Sequence, residues 1–185
     1  MAHFLKRNLK PLLMIALFAF LPLVFLLNAC EESQAGTGTN YVNSSNTIEA
    51  GKYLVTIGGC NDCHTVGYME SNGKLPQDEW LTGSPVGLKG PWGTTYASNL
   101  RLVVDKYSEA DFLKMCRTRQ AMPPMPWPSL NNMSDKDLTA IYQFIKSLGV
   151  KGVAAPSIVG PGVEPTTPYI IFEPLHMERL SRAAN

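Results

Sequence analysis

Two cysteines two residues apart, followed at once by a histidine, constrain this chain more than any other feature: Cys60-Asn61-Asp62-Cys63-His64. Thiols at this spacing can each add to one of the two vinyl groups on a single porphyrin edge. The adjoining histidine then lies under the ring, where its Nε2 can reach the iron. This is the C-x-x-C-H pattern of covalent haem attachment, and it implies one covalently bound haem c. Competing uses of the cysteines fit less well. A structural zinc needs four ligands, and no second Cys pair or His pair exists. A thioredoxin-like redox pair calls for βαβ flanks that the sequence does not supply. A plain disulfide remains open in an oxidising compartment.

The N-terminus supplies such a compartment. Lys6, Arg7 and Lys10 precede an uncharged stretch from Pro11 to Leu27, and Leu27-Asn28-Ala29-Cys30 follows. Charge pattern and length fit a secretory signal over residues 1–29. The Leu-x-Ala-Cys ending resembles a bacterial lipobox, in which the cysteine is lipidated; the alternative is an uncleaved membrane anchor, which Pro22 weakens. Either reading puts the remainder on the periplasmic side of a bacterial membrane, tethered within the cell envelope, because the positive flank stays inside. Residues 30–47 are rich in Ser, Thr, Asn and Gly and read as a flexible tether, on the order of 20–25 Å long.

With the leader set aside, the chain carries 13 Lys and Arg against 15 Asp and Glu, a formal charge of −2. Haem propionates would make it more negative. This balance excludes a basic nucleic-acid binder, and partner docking is not expected to rest on a large basic patch. The high Gly and Pro content excludes a long coiled coil and leaves one loop-rich domain.

Three helices can be read from their caps. Asn46 caps a helix over residues 47–58, with Glu49 at the capping-box position and Gly58-Gly59 as its stop. Ser108, with Asp111 three residues on, opens a helix over residues 109–119. Ser134, with Asp137, opens a last helix whose Leu138, Ile141, Tyr142, Ile145 and Leu148 form an apolar stripe, ended by Gly149. Gly51 would admit a close helix crossing, with Phe144 or Tyr142 as partner. Cys116 reads as a small buried hydrophobe.

His64 fills one axial position, and a thioether sulfur suits the other in a high-potential carrier. His176 is the only other mature histidine and lies in a polar tail. Met69 sits in a polar stretch too close to the attachment motif, Met115 lies inside a helix, Met133 precedes a cap and Met177 is in the tail. Met122 and Met125 remain, in Ala-Met-Pro-Pro-Met-Pro-Trp-Pro (121–128), a polyproline-like run with little conformational entropy to lose.

Taken together, residues 48–150 resemble a class I cytochrome c domain: N-terminal helix, haem motif, long loop, middle helix, Met loop and C-terminal helix. The resemblance implies a mainly α cytochrome c fold of about three to five short helices around the haem, with a long loop insertion and an irregular, Pro-rich C-terminal tail over residues 151–185. Met125-Pro126-Trp127 is similar to the Met-Pro-aromatic element of bacterial periplasmic cytochromes. This implies Met125 as the second iron ligand beside His64, with Met122 as second choice and Trp127 packed at the ring. Gly-Pro-Trp-Gly-Thr-Thr-Tyr (90–96), within a 43-residue connection over residues 65–107, resembles a haem-lining loop; Trp92, Tyr96, Asn99 and Arg101 become candidate donors to the propionates. The implied function is single-electron transfer without catalytic residues, between redox partners such as dehydrogenase or terminal oxidase components. Electrons would leave through a haem edge exposed near Cys60, Cys63 and the Met loop. Two alternatives remain open: a haem sensor or small enzyme with a displaceable sixth ligand, and a tethering cytochrome subunit of a dehydrogenase complex.

Overall fold

The computed structural model describes residues 42 and 44–179. The expected signal or anchor over residues 1–29, and most of the expected tether, lie outside the described residues. Among the described residues there are six α-helices and a small sheet, so the chain is mainly α, as the resemblance implies. No helix among them is long and apolar enough to cross a membrane.

Helix α1 (Thr47–Ile57) begins where the Asn46 side chain accepts hydrogen bonds from the amides of Ile48 and Glu49, satisfying two donors that a first turn leaves open. It ends at Gly58 and the left-handed Gly59. The chain then enters one further turn, α2 (Cys60–His64), so the attachment motif is itself helical. The connection after it is not one loop, as the sequence suggested. It holds a 3₁₀ turn (Gln77–Glu79), two strands, β1 (Gly87–Gly90) and β2 (Gly93–Tyr96), and a helix, α3 (Leu100–Lys106). Then come α4 (Glu109–Thr118), α5 (Trp127–Asn131) and α6 (Asp135–Ser147). Ser108 and Ser134 cap α4 and α6 as expected, each hydroxyl accepting from the amide of Asp111 or Asp137 and donating to its carboxylate.

The core forms where α1 crosses α6. Leu54 and Val55 meet Leu138, Ile141, Phe144 and Ile145, with Trp80, Leu81, Val104, Phe112 and Cys116 closing the cluster. At the crossing, a Cβ on Gly51 would stand 2.0 Å from the Ala140 carbonyl oxygen and 2.6 Å from Phe144 Cβ. Phe144 is thus the partner of Gly51. Tyr142 packs elsewhere, against the Phe112 ring at 5.5 Å, and donates to the Tyr107 carbonyl. Gly51→Ala should lower thermal stability although Ala is the better helix former by about 1 kcal/mol. Overpacking costs about 1–3 kcal/mol and here acts on backbone that cannot yield. A thermal melt checks the sign: a Tm at or above the parent's would show that the helices can separate at no cost.

The C-terminal tail is less irregular than expected. It supplies β3 (Tyr169–Ile171), which pairs parallel with β1 on the side opposite the antiparallel β2, giving the order β2-β1-β3. Upstream, Val159 and Thr94 exchange two backbone hydrogen bonds, of 2.8 and 2.9 Å. The Val159 carbonyl oxygen would lie 2.3 Å from a Cβ on Gly93, whose φ is 100°, so only glycine serves there. The Met loop also differs from expectation. It is not an extended polyproline run: the chain turns at Pro123-Pro124, bends at Met125 and enters α5 at Trp127.

Candidate haem site

The attachment motif is fixed from below by hydrogen bonds. Asn61 is buried, and its Oδ1 accepts from Thr65 Oγ1 (2.7 Å), which in turn accepts from the Leu81 amide (2.7 Å). The Gly83 amide donates to the His64 carbonyl at 2.8 Å. Helix α2 is thereby sewn to residues 81–83. Cys60 is half-buried, Cys63 is exposed, and both are free thiols. Burial pushes the Cys60 thiol up to about 11 and raises Cys63 as well, helped by the Asp62 carboxylate. Near neutral pH both sulfurs are protonated thiols rather than reactive thiolates.

His64 is buried, and its Nδ1 lies 2.7 Å from the Ser98 carbonyl oxygen. A carbonyl can only accept, so Nδ1 carries the proton and Nε2 presents a lone pair; a hydrogen bond of this kind fixes the tautomer and orientation of a metal-binding imidazole. Burial, the larger influence, lowers the His64 pKa, against the opposing hydrogen bond to Ser98, so the ring stays neutral as a ligand must.

Three residues before Ser98, buried Thr95 donates from Oγ1 to the Pro123 carbonyl at 2.8 Å. One short segment, residues 95–98, therefore holds the imidazole at one end and the Met loop at the other. Extended chain of this length spans about 10 Å. Beside it, Met125 and Trp127 line a cleft of about 330 Å³ with Gln120, Ala121, Pro123, Pro128 and Asn131. Cys60, Cys63 and His64 are not among the residues lining that cleft. Of the other methionines, Met115 and Met133 pack against the core, while Met69 and Met177 are more than half exposed. Met122 is exposed and Met125 half-buried.

Of the four candidate propionate donors Trp92 stands apart, in a condition it shares with Trp127, the residue expected at the ring. Trp92 and Trp127 each bury an indole Nε1 with no hydrogen-bond partner among the described residues, and Thr94 Oγ1 and Asn61 Nδ2 share that condition. An unsatisfied buried donor costs about 1–3 kcal/mol, and a carboxylate-bearing cofactor would relieve it. Arg119 lies over the Trp127 ring, 5.1 Å from its centroid, and Trp92 packs on Phe172 of the tail. The other three candidates have partners within the protein. Arg101 is buried and gives Nε to the Gly149 carbonyl (2.5 Å), Nη1 to that of Asp78 (2.7 Å) and Nη2 to that of Leu148. It closes the C-terminal end of α6, where carbonyls lack partners. Asn99 caps α3 and donates to the Lys151 and Val153 carbonyls. The Tyr96 hydroxyl pairs with Thr167 Oγ1 at 2.8 Å. Sequence reasoning passed over Thr95 and Ser98. Thr95 stands in the Gly-Pro-Trp-Gly-Thr-Thr-Tyr run and could have been singled out there, but Ser98 acts through its backbone carbonyl, which leaves no mark on the sequence.

These residues fit a haem. Two thiols on one helical turn, a neutral imidazole with Nε2 available, a thioether lining a cleft and orphaned indole donors together form the donor set that such a group requires.

Comparison with known proteins agrees. The sequence profile of the family described as Cytochrome c matches residues 48–149, more than half of the chain. Over 132 residues the chain is 30% identical to the cytochrome c subunit of a quinone alcohol dehydrogenase from Gluconobacter oxydans (strain 621H), covering 62% of this chain and 24% of that protein. It is 32% identical over 118 residues to the gluconate 2-dehydrogenase cytochrome c subunit of Pantoea cypripedii, covering 58% and 24%. With the fructose dehydrogenase cytochrome subunit of Gluconobacter japonicus it shares 29% over 121 residues, covering 60% and 23%. The matched region spans about a quarter of the length of each relative. No solved structure matches. The helical attachment motif, the oriented imidazole and the profile match over that same segment place this chain in the cytochrome c family, whose cofactor is covalently bound haem c.

Proposed function

We propose that the protein carries single electrons as a monohaem cytochrome c, with His64 and Met125 as the axial ligands and Cys60 and Cys63 as the attachment points. The observation that carries this reading is the segment Thr95–Ser98, which ties the His64 imidazole and the Met125 loop to one piece of backbone. Bound haem supplies a one-electron couple at iron. The chain's own residues do the rest. The Ser98 carbonyl holds the imidazole proton on Nδ1, Met125 offers a soft sulfur that favours the reduced state, and the orphaned Trp92 and Trp127 N–H groups would meet the propionates. Exposure of Cys63 and Met122 supports an electron exit beside the attachment motif and the Met loop. A redox titration followed by absorbance tests the reading: a single one-electron transition is expected, whereas multi-step titration would argue against one haem.

The curated relatives favour a more specific placement, as a cytochrome partner of an envelope dehydrogenase. Those relatives are cytochrome subunits of alcohol, gluconate and fructose dehydrogenases. Reduction of the purified holoprotein by such a dehydrogenase with its substrate, in the absence of mediator, is the expected result. Terminal oxidase components are the corresponding acceptors.

The N-terminal sequence supports tethering at the periplasmic face of the membrane, through lipidated Cys30 or an uncleaved anchor. Cys30→Ser should abolish lipid attachment. Intact mass of the mature protein checks this: under the lipidation reading the parent begins at a diacylated Cys30, and a mature N-terminus elsewhere would contradict it while leaving export intact.

A further inference from the structure

We infer that Thr95 is a positioning residue for the sixth iron ligand, its hydroxyl holding the turn that carries Met125. The inference rests on the proposed ligation by Met125. Residues 120–126, Gln-Ala-Met-Pro-Pro-Met-Pro, lead from α4 to α5. Three of the seven are prolines without an amide proton, so the segment is rich in acceptors and poor in donors. Its local bonds run forward only: the Met125 carbonyl accepts from the Trp127 amide, and that of Pro126 from the amides of Ser129 and Leu130. Among the described residues, one hydrogen bond ties this segment to anything beyond itself and α5, and it is Thr95 Oγ1 to the Pro123 carbonyl at 2.8 Å. The other acceptor near that hydroxyl, the Leu88 carbonyl, is 3.4 Å away, so its single proton goes to Pro123.

The anchor point is itself rigid. Thr95 is 9% exposed and pairs with Leu88 across the β1–β2 hairpin, and its neighbour Thr94 is doubly bonded to Val159 of the tail. Water competes poorly at such a position, which strengthens the bond. Pro123 precedes Met125 by two residues. Releasing it frees the turn at its one polar tether, and the sulfur would then leave the iron more readily to an outside ligand. The Thr95 hydroxyl bonds to neither ligand side chain; it acts through the loop.

Imidazole is the probe, titrated into oxidised holoprotein while the sulfur-to-iron absorption band is followed. Thr95→Val keeps the side chain's shape and removes the donor. It should bind imidazole about 2- to 10-fold more tightly than the parent, the size that one lost hydrogen bond gives. Thr95→Ser restores the donor and should stay within about twofold of the parent. If Thr95→Val does not accumulate as holoprotein, Thr95→Ala is held to the same criterion. A purely structural residue would lower Tm and leave imidazole affinity unmoved; that result overturns the inference, whatever the change in Tm. Met125→Ala separates the two layers of the argument. If it loses the band while Thr95→Val shows parental imidazole affinity, the role of Thr95 alone is wrong. If it keeps the band, the ligation by Met125 fails and the inference falls with it.

Discussion

Replacing Cys60 and Cys63 together by Ala should give a chain that carries no covalent haem and does not reach this fold. The cause lies in the size of the core. Packing is concentrated where α1 crosses α6, and much of the remainder is loop, short strand and one-turn helix. A domain this small and loop-rich hides too little apolar surface to offset its ordering entropy without help. A cofactor that binds only the folded chain contributes its binding energy to folding. Orphaned indole donors at Trp92 and Trp127 point the same way, since each is a cost that the filled site would remove. Haem staining after denaturing electrophoresis, with circular dichroism on the purified double variant, checks both parts. Stain surviving the double substitution would refute the attachment assignment; a native spectrum without haem would refute the coupling to folding.

The second large effect is expected at the Met loop. Met125→Ala should abolish the sulfur-to-iron band and lower the reduction potential by an amount on the order of 0.1 V, a fraction of the roughly 0.8 V over which axial ligands and their surroundings set haem potentials. Met122→Ala should leave both nearly unchanged, because Met122 is exposed and lies before the turn at Pro123-Pro124, whereas Met125 lines the cleft beside Trp127. Loss of the band in Met122→Ala instead would reassign the ligand.

Legibility in the sequence followed the range of the interactions. The caps at Asn46, Ser108 and Ser134 were readable because capping acts within three residues. The close crossing at Gly51 was readable because a glycine inside an otherwise good helix needs a reason, and the reason is the Ala140 backbone. The haem motif needs only five consecutive residues. The sheet was not readable. Its strands are three or four residues long, and Gly87 and Gly93 within them argue locally against strand; Gly93 is there because Val159 approaches from more than 60 positions away, and a Cβ on Gly87 would meet Thr94 of the paired strand at 2.5 Å as well as Tyr169 at 3.2 Å. The partners of Arg101 within the protein were hidden for a related reason. A guanidinium in a haem-lining segment suggests a propionate partner, but its carbonyl partners at Leu148 and Gly149 become neighbours only after α6 folds back. The polyproline reading of the Met loop failed because composition fixes local stiffness without fixing direction, and the chain turns where it was expected to run straight.

Ligation of one c-type haem by His64 and a thioether sulfur has a direct optical signature. The visible spectrum of the purified protein, oxidised and then reduced in the presence of carbon monoxide, tests it most directly. The expected result is a sulfur-to-iron band at the red end of the oxidised spectrum and a reduced spectrum that carbon monoxide leaves unchanged without denaturant. An oxidised spectrum lacking that band, together with ready carbon monoxide binding, would contradict it and point to an open or displaceable sixth position.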